Sequence, residues 1–351
     1  MGRRRQAVTI RHVAADAGVS LQTVSRVINN DQSVRAPMRE KVQASIDKLG
    51  YVPSIAAQRM GGSRSWLILA LNDRERTIAD WKARQGTDWV DQLLLGGMLE
   101  CAEHGYRLIF ELVDTNAPDI ERQLGATIAA LQPDGVILTP PHCDDPRIIE
   151  AFRKHQIPVA RMGSREEGEG LCVAMDEGEA GRLATRYLQD LGHERIGFIA
   201  GLRAYSFSSW RVEGWQAQMR EAGLATEGLM APGDFSYETG AQAARELLGR
   251  SPRPSAIIAS GEQMALAALD VAQELGLSVP EDLSILSFDN TPLVRFTRPP
   301  LTAMDQPIAD LAARAVRELI LGRAGAGGEA RVILLDVGLV ERGSTAPPRR
   351  D

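Results

Sequence analysis

Cysteine is scarce in this chain. The three present in 351 residues (Cys101, Cys143 and Cys172) are too few and too widely spaced for a disulfide framework or a zinc site. The five histidines (His12, His104, His142, His155 and His193) show no metal-ligand spacing, so no metal or other cofactor is expected. No apolar run reaches the roughly 18–20 residues of a membrane span, and the longest, such as Trp66–Leu71, have strand length. Arg3-Arg4-Arg5 open the chain with no apolar segment behind them, so no secretory signal is read and a cytoplasmic location is expected. Gly325-Ala-Gly-Gly328 lacks the Lys-Ser/Thr of a phosphate loop. Cys143 stands beside His142, but sequence neighbours point apart on a strand or loop, which is poor geometry for a nucleophile and its base. Catalysis therefore has no foothold, and an enzyme is not expected. What remains is an ordinary globular composition, 44 % apolar and 25 % charged, with length for two or three domains.

The charge is unevenly divided. Residues 1–64 carry 11 Lys and Arg against 4 Asp and Glu, a net of +7, while the rest carries 29 against 42, a net of −13. A basic head on an acidic body is the layout expected when only the head meets a polyanion. In the head, Ile10, Val13, Ala14 and Ala17 recur at helical spacing behind Thr9, a natural N-cap. Gly18 supplies a turn and Ser20 caps a second helix, in which Val24, Val27 and Ile28 face inward and Leu21, Gln22, Ser25 and Arg26 face out. Two short helices around a Gly turn make a helix-turn-helix, whose second helix enters the major groove. Gln22 suits an adenine edge, Arg26 a guanine edge and Leu21 a thymine methyl. Thr9, Ser20, Thr23 and Ser25 suit phosphate oxygens. A third helix over about Pro37–Leu49 closes the small core with Val42, Ile46 and Leu49. Beyond it, Pro53, Ser54 and Gly61-Gly62 bracket barely two turns of helix, too short to persist alone. The stretch reads either as a plain Gly-ended linker or as a hinge that folds when paired on DNA, with Met60 wedged into a minor-groove step.

Together, Val-Thr-Ile-Arg-His-Val-Ala (8–14), the run Gly18–Asn29, Val-Arg-Ala-Pro-Met-Arg-Glu-Lys-Val (34–42) and Leu-Gly-Tyr-Val-Pro (49–53) resemble the LacI/GalR family of bacterial transcription regulators. The resemblance puts Leu21, Gln22 and Arg26 at base-reading positions, and Ala57 and Met60 on the hinge faces toward partner and DNA. It also shows two departures. Arg35 replaces the usual Ser or Thr cap of the third helix, and Met60 replaces a Leu wedge of similar volume.

From residue 66 onward, apolar runs alternate with helical stretches in two series, one from Trp66 to Arg161 and one from Leu171 to Phe288. Such alternation implies two doubly wound parallel-sheet subdomains with a ligand cleft at the strand ends. The stretch 72–88 is read as a long polar loop. Gly192-His193, Ile196–Gly201, Ser209–Trp215 and Val279–Ser284 are similar to landmarks of the same family. The implied fold class is α/β: an all-α helix-turn-helix domain (1–52), a hinge helix (53–62) and a periplasmic-binding-protein-like core (63–342). Its first subdomain takes about 65–170 plus 305–330, its second about 171–304 plus 331–342, and 343–351 is read as a disordered tail. With no Leu heptad there, a homodimer is expected.

For the cleft, the resemblance implicates Arg211 and Asp289. Asp144, just past a strand end, suits sugar hydroxyls, because each hydroxyl both donates and accepts. Gly261-Glu262 stands where the family usually has Asn-Asp, removing an amide and lengthening a carboxylate. Trp81 or Trp89 either stacks on a pyranose face or packs its loop, and Tyr205, Phe207 and Trp210 offer the same alternatives opposite. The expected function is a homodimeric repressor that leaves a palindromic operator when a sugar or sugar derivative binds. The alternative is a corepressor-dependent regulator with a purine-like ligand.

Overall fold

Small apolar residues at helical spacing and glycine stops build the head. A computed structural model describes residues 8–28, 31, 33–51, 64–84, 86, 88–166, 168–324 and 331–349. The chain divides into two units between Trp66 and Leu67. Ala57 and Met60, with the whole of the expected hinge (53–62), lie outside the described residues.

In the first unit, α1 (Ile10–Ala17) starts at Thr9, whose backbone N–H donates to His12 Nδ1 at 3.0 Å. It stops at Gly18, whose φ of 60° lies in the left-handed region that favours glycine. Ser20 Oγ accepts the Thr23 N–H at 3.1 Å and so caps α2 (Leu21–Ile28). For α3 (Ala36–Leu49), Arg35 makes no side-chain cap bond, and Pro37 in the first turn fixes a helical φ instead. Val13, Ala14, Ala17, Val24, Val27, Val42 and Tyr51 meet in one core.

The second unit holds two six-stranded sheets among the described residues. The first has the order β11-β5-β4-β3-β1-β2, with β1 (Leu67–Asp73), β2 (Arg107–Val113), β3 (Gly135–Leu138), β4 (Val159–Met162), β5 (Leu171–Met175) and β11 (Arg331–Leu335). The second has the order β12-β10-β9-β8-β6-β7, with β6 (Ile196–Ile199), β7 (Met230–Ala231), β8 (Ala256–Ala259), β9 (Ser284–Phe288), β10 (Thr302–Asp305) and β12 (Gly338–Val340). Every pairing is parallel except β10 with β12. Parallel strands are covered on both faces, which is why β3 and β8 are apolar throughout and β1 is apolar through Leu71.

Three sequence expectations are corrected. Stretch 72–88 is no mere loop: α4 (Arg74–Ala83) begins at Asp73, whose carboxylate accepts the Arg76 N–H at 2.6 Å, and α5 (Asp88–Glu103) follows. Charged residues on most faces of α4 hide any apolar period, so the capping carboxylate and the Arg76–Asp80 pair (2.9 Å) stand in for it. Secondly, Leu171–Met175 and Arg331–Leu335 belong to the first sheet, since Ala160 pairs with Leu171 and the 331–335 strand runs beside β5. The chain therefore crosses between subdomains after β5, after β10 and between β11 and β12. A local apolar run does not reveal which sheet edge it will join. Thirdly, 343–349 is anchored. Ser344 is buried; its Oγ accepts the Thr302 N–H at 2.8 Å and donates to the Ile285 carbonyl at 2.6 Å. His193 Nε2 lies 2.9 Å from the Ala346 carbonyl.

Close helix contact positions the site. In α9 (Ser206–Glu221), a Cβ on Gly214 would lie 2.0 Å from the carbonyl oxygen of Gly178 in α8 (Glu177–Asp190). The absence of that Cβ seats α9 directly on α8. Trp215 fills the core behind, its indole N–H donating to the Ile196 carbonyl at 3.2 Å. One turn before Trp215, Arg211 is thereby brought against Glu177.

Candidate functional site

The outer face of α2 is polar and open. Leu21 is 44 % exposed, Gln22 and Arg26 are exposed, and Val24 and Val27 beneath them are buried. Arg26 Nε lies 3.8 Å from Asp31, a loose surface pair that leaves the guanidinium reachable. Ser20 and Thr23 Oγ atoms lie 2.9 Å apart at the helix start, with Ser25 half-buried in the next turn. Thr9 Oγ1 lies 3.1 Å from His12 Nδ1. The exposed side chains of one short helix can thus enter a groove, with hydroxyl-bearing residues gathered at its N-terminus.

In the body, the strand-order reversals fall between β1 and β3 in one sheet and between β6 and β8 in the other. The carboxyl ends of these and neighbouring strands open on a cavity of about 460 Å³. Asn72 and Asp73 end β1, Pro140 follows β3, and Met162-Gly163 ends β4. From the other subdomain come Gly261-Glu262 after β8 and Asp289-Asn290 after β9. Asp289 holds φ at 67°, a left-handed conformation that few residues besides Gly, Asn and Asp tolerate.

Arg211 is the organising side chain. Its Nε donates to Glu177 Oε2 at 2.6 Å, Nη1 to the Ser260 carbonyl at 2.7 Å and Nη2 to Gln306 Oε1 at 3.0 Å. The guanidinium carbon also lies 4.9 Å from the Phe207 ring centre and 4.2 Å from that of Phe288. Gln306 donates in turn to Asp289, whose other oxygen accepts the Glu262 N–H at 3.3 Å. Burial raises the pKa of both Glu177 and Asp289 above the usual carboxylate range despite nearby Arg211. Burial, with Asp289 and Asp88 close by, pushes Glu262 up to about 7, against the bond it accepts from the Thr291 hydroxyl. Tyr205, Phe207 and Phe235 form an aromatic wall with ring centres 5.5–6.0 Å apart. Convergent polar groups, carboxylates and ring faces in a cavity of this size suit a small polyhydroxylated molecule.

Arg211, Asp289 and Glu262 thus meet around one cavity, but Asp144, Trp81 and Trp210 do not line it. Asp144 is bound to buried Arg161 and accepts the Ser164 hydroxyl at 2.5 Å. Trp81 packs 6.4 Å from Phe110, and Trp210 lies under the Arg165 guanidinium at 5.9 Å. Each is engaged by a neighbour that sequence spacing does not show. Conversely, Glu177, Gln306, Phe235 and Arg76 were not anticipated. Glu177 and Gln306 each follow a strand end, the signal that picked out Asp289. Arg76 has no such signal; it donates across the cleft to the Asp234 carbonyl at 2.6 Å. Burial raises the Cys143 thiol well above its usual value, the reverse of an activated nucleophile. Among the described residues no helix is long and apolar enough to cross a membrane.

Residues 9–54 match the family described as "Bacterial regulatory proteins, lacI family", and residues 185–345 match a periplasmic binding protein-like domain. The chain is 34 % identical over 328 residues to the HTH-type transcriptional regulator CelR of Thermobifida fusca, covering 91 % of this chain and 93 % of that one. Among solved structures, a CelR–cellobiose complex is similar with TM-score 0.70 and 30 % identity, covering 96 % and 99 % of the two chains. The lac repressor dimer bound to operator and the anti-inducer ONPF is similar with TM-score 0.77 and 27 % identity, covering 97 % and 100 %. A helix-turn-helix head, a two-sheet body with a cavity at its strand ends and relatives matched along nearly their whole length have one common explanation: the chain belongs to the lacI family of bacterial regulatory proteins and is a DNA-binding transcriptional regulator.

Proposed function

We propose that the protein is a homodimeric repressor that leaves a near-palindromic operator when a sugar or sugar derivative fills the cleft. Leu21, Gln22 and Arg26 read base edges; Thr9, Ser20, Thr23 and Ser25 hold phosphates; Ala57 and Met60 serve the hinge in the central minor groove. Arg211, Asp289 and Glu262 contact the effector. The cellobiose held by the similar CelR structure and the operator held by the lac repressor dimer support this reading over a purine-like corepressor.

The observation that carries the proposal is where Arg211 is tied. Glu177 lies just beyond the first crossing between subdomains and Gln306 just beyond the second. A ligand that bonds Arg211 or Asp289 therefore acts on the two segments about which the subdomains turn. Its differential contacts with open and closed forms are what shift the equilibrium. A few kcal/mol suffice, because specific operator binding exceeds non-specific binding by roughly 4–10 kcal/mol.

The test is fluorescence anisotropy of the full chain on labelled DNA from upstream of its own gene, with and without sugars. Operator affinity should fall with the effector, and Arg211→Ala, assayed below its melting temperature, should keep operator affinity and lose the response. Indifference to every promoter fragment at low ionic strength, a monomer at all concentrations, or loss of DNA binding in Arg211→Ala refutes the proposal.

A further inference from the structure

The charge around the cavity does not suit every sugar. Its lining carries seven Asp and Glu side chains against three Arg. Two of the three arginines are already engaged: Arg211 by Glu177 at 2.6 Å and Arg76 by Asp80 at 2.9 Å. The third, Arg295, is exposed. Two of the helix N-termini that line the cavity, which would ordinarily welcome an anion, carry their own carboxylate as the first helical residue. Asp88 opens α5 in the first subdomain, and Glu262 opens α11 (Glu262–Glu274) in the second. Asp88 disfavours the charged forms of both Glu262 and Asp289, so the acids repel one another across the cleft. Glu262 is also nearly buried, at 4 % exposure. Among the described residues no three His, Cys, Asp or Glu side chains are grouped closely enough to hold a metal ion.

Resting on the reading of this cavity as the effector site, we propose that the effector is an amino sugar whose ammonium group sits between Asp88 and Glu262, and that phosphorylated and carboxylated sugars are excluded. An ammonium there donates to carboxylates of both subdomains and removes their repulsion, so it favours the closed cleft directly. A phosphate or carboxylate adds to the repulsion and opposes closure. The aromatic wall of Tyr205, Phe207 and Phe235 remains for the apolar face of the ring, and Arg211 and Asp289 for its hydroxyls.

The experiment is calorimetric titration of the full chain near pH 7 with matched sets built on glucose and on cellobiose: parent, 2-amino, phosphorylated and uronic acid forms. The amino member should bind about tenfold more tightly than its parent, the gain of one charge-assisted hydrogen bond, and the anionic members should give no heat. Glu262→Gln should bring the ratio of amino to parent affinity close to one. Asp88→Asn, on the open edge of the cleft, should lower that ratio in the same direction and serves if Glu262→Gln folds poorly. An anionic member that binds as well as its parent, an amino member with no advantage, or a ratio unmoved by these substitutions overturns the inference while leaving the sugar reading intact. Silence from every member overturns the sugar reading, and this inference with it.

Discussion

Arg211 and Glu177 form the most deeply buried ion pair described in the core, with side-chain exposures of 3 % and 8 % and a separation of 2.6 Å. Arg211→Ala leaves Glu177 among apolar neighbours with no cation, a change that costs about 3–5 kcal/mol. At about 2–4 °C per kcal/mol for domains of this order, the melting transition should fall by roughly ten degrees near pH 8. The loss depends on pH in a definite direction. Burial already holds the Glu177 carboxyl above its ordinary value, and removing Arg211, which opposes that rise, lifts it further. A carboxyl raised in the folded state gives its full stability below the unfolded pKa and loses it as pH climbs through the folded one. The deficit of Arg211→Ala relative to the parent should therefore grow as pH rises, and be larger at pH 8 than at pH 5. Lost stacking on Phe207 and Phe288 contributes a part that does not change with pH. Adding Glu177→Gln removes the stranded charge and should restore most of the pH-dependent part; Asp289, which also faces Arg211, keeps the rescue incomplete. Thermal melts of the three proteins at pH 5, 6.5 and 8 provide the measurement. A deficit equal at all three values, or a double variant no more stable than Arg211→Ala, refutes the argument.

The reading helix and the C-terminal segment give two further outcomes. Gln22→Ala and Arg26→Ala should each cost about 1–3 kcal/mol on the cognate operator and relax preference at one base position; equal weakening on all sequences, read by competition binding, would reassign them to phosphate. Truncation after Arg342 removes the buried Ser344 and its bonds to Thr302 and Ile285, so it should lower the melting temperature measurably, whereas truncation after Arg349 should not.

The alternation of strands and helices in the body was legible because parallel strands covered on both faces are mostly apolar, as β3 and β8 are throughout and β1 is through Leu71. The three-helix head was legible for a different reason: its helix ends depend on single residues, Thr9, Gly18 and Ser20, whose types state their geometry. The site was legible at Asp289, which directly follows β9 and matches the family's cleft aspartate, and at Glu262, which the family resemblance picked out three residues past β8. Asp144 shows the limit of reading a site from strand ends. It too follows a strand, but Arg161, fully buried and 17 residues further on, draws it away from the cavity. Spacing locates a carboxylate at a strand end and says nothing of the cation beside it. The helix α4 escaped notice because it is held by its cap and its charge pairs, while the apolar period that reveals a helix is missing.

The departure at Gly261 becomes intelligible only with the aromatic wall in view. The resemblance to the family leads one to expect an amide side chain there, and its absence alone reads as a lost hydrogen bond to the ligand. A Cβ at position 261 would lie 3.0 Å from Cδ1 of Phe235, and one at Gly201 only 2.0 Å from the same ring. The ring therefore occupies space that larger side chains at either position would need. The Phe235 ring thus lies over both glycines and offers the cavity a ring face beside position 261, where the resemblance leads one to expect an amide. The hydrogen-bonding load then passes to Arg211, Asp289 and the longer carboxylate of Glu262, and the ring supplies contact area that an amide does not. An effector fitted to this arrangement presents a broad apolar face toward Phe235 and donors, not acceptors, toward Glu262.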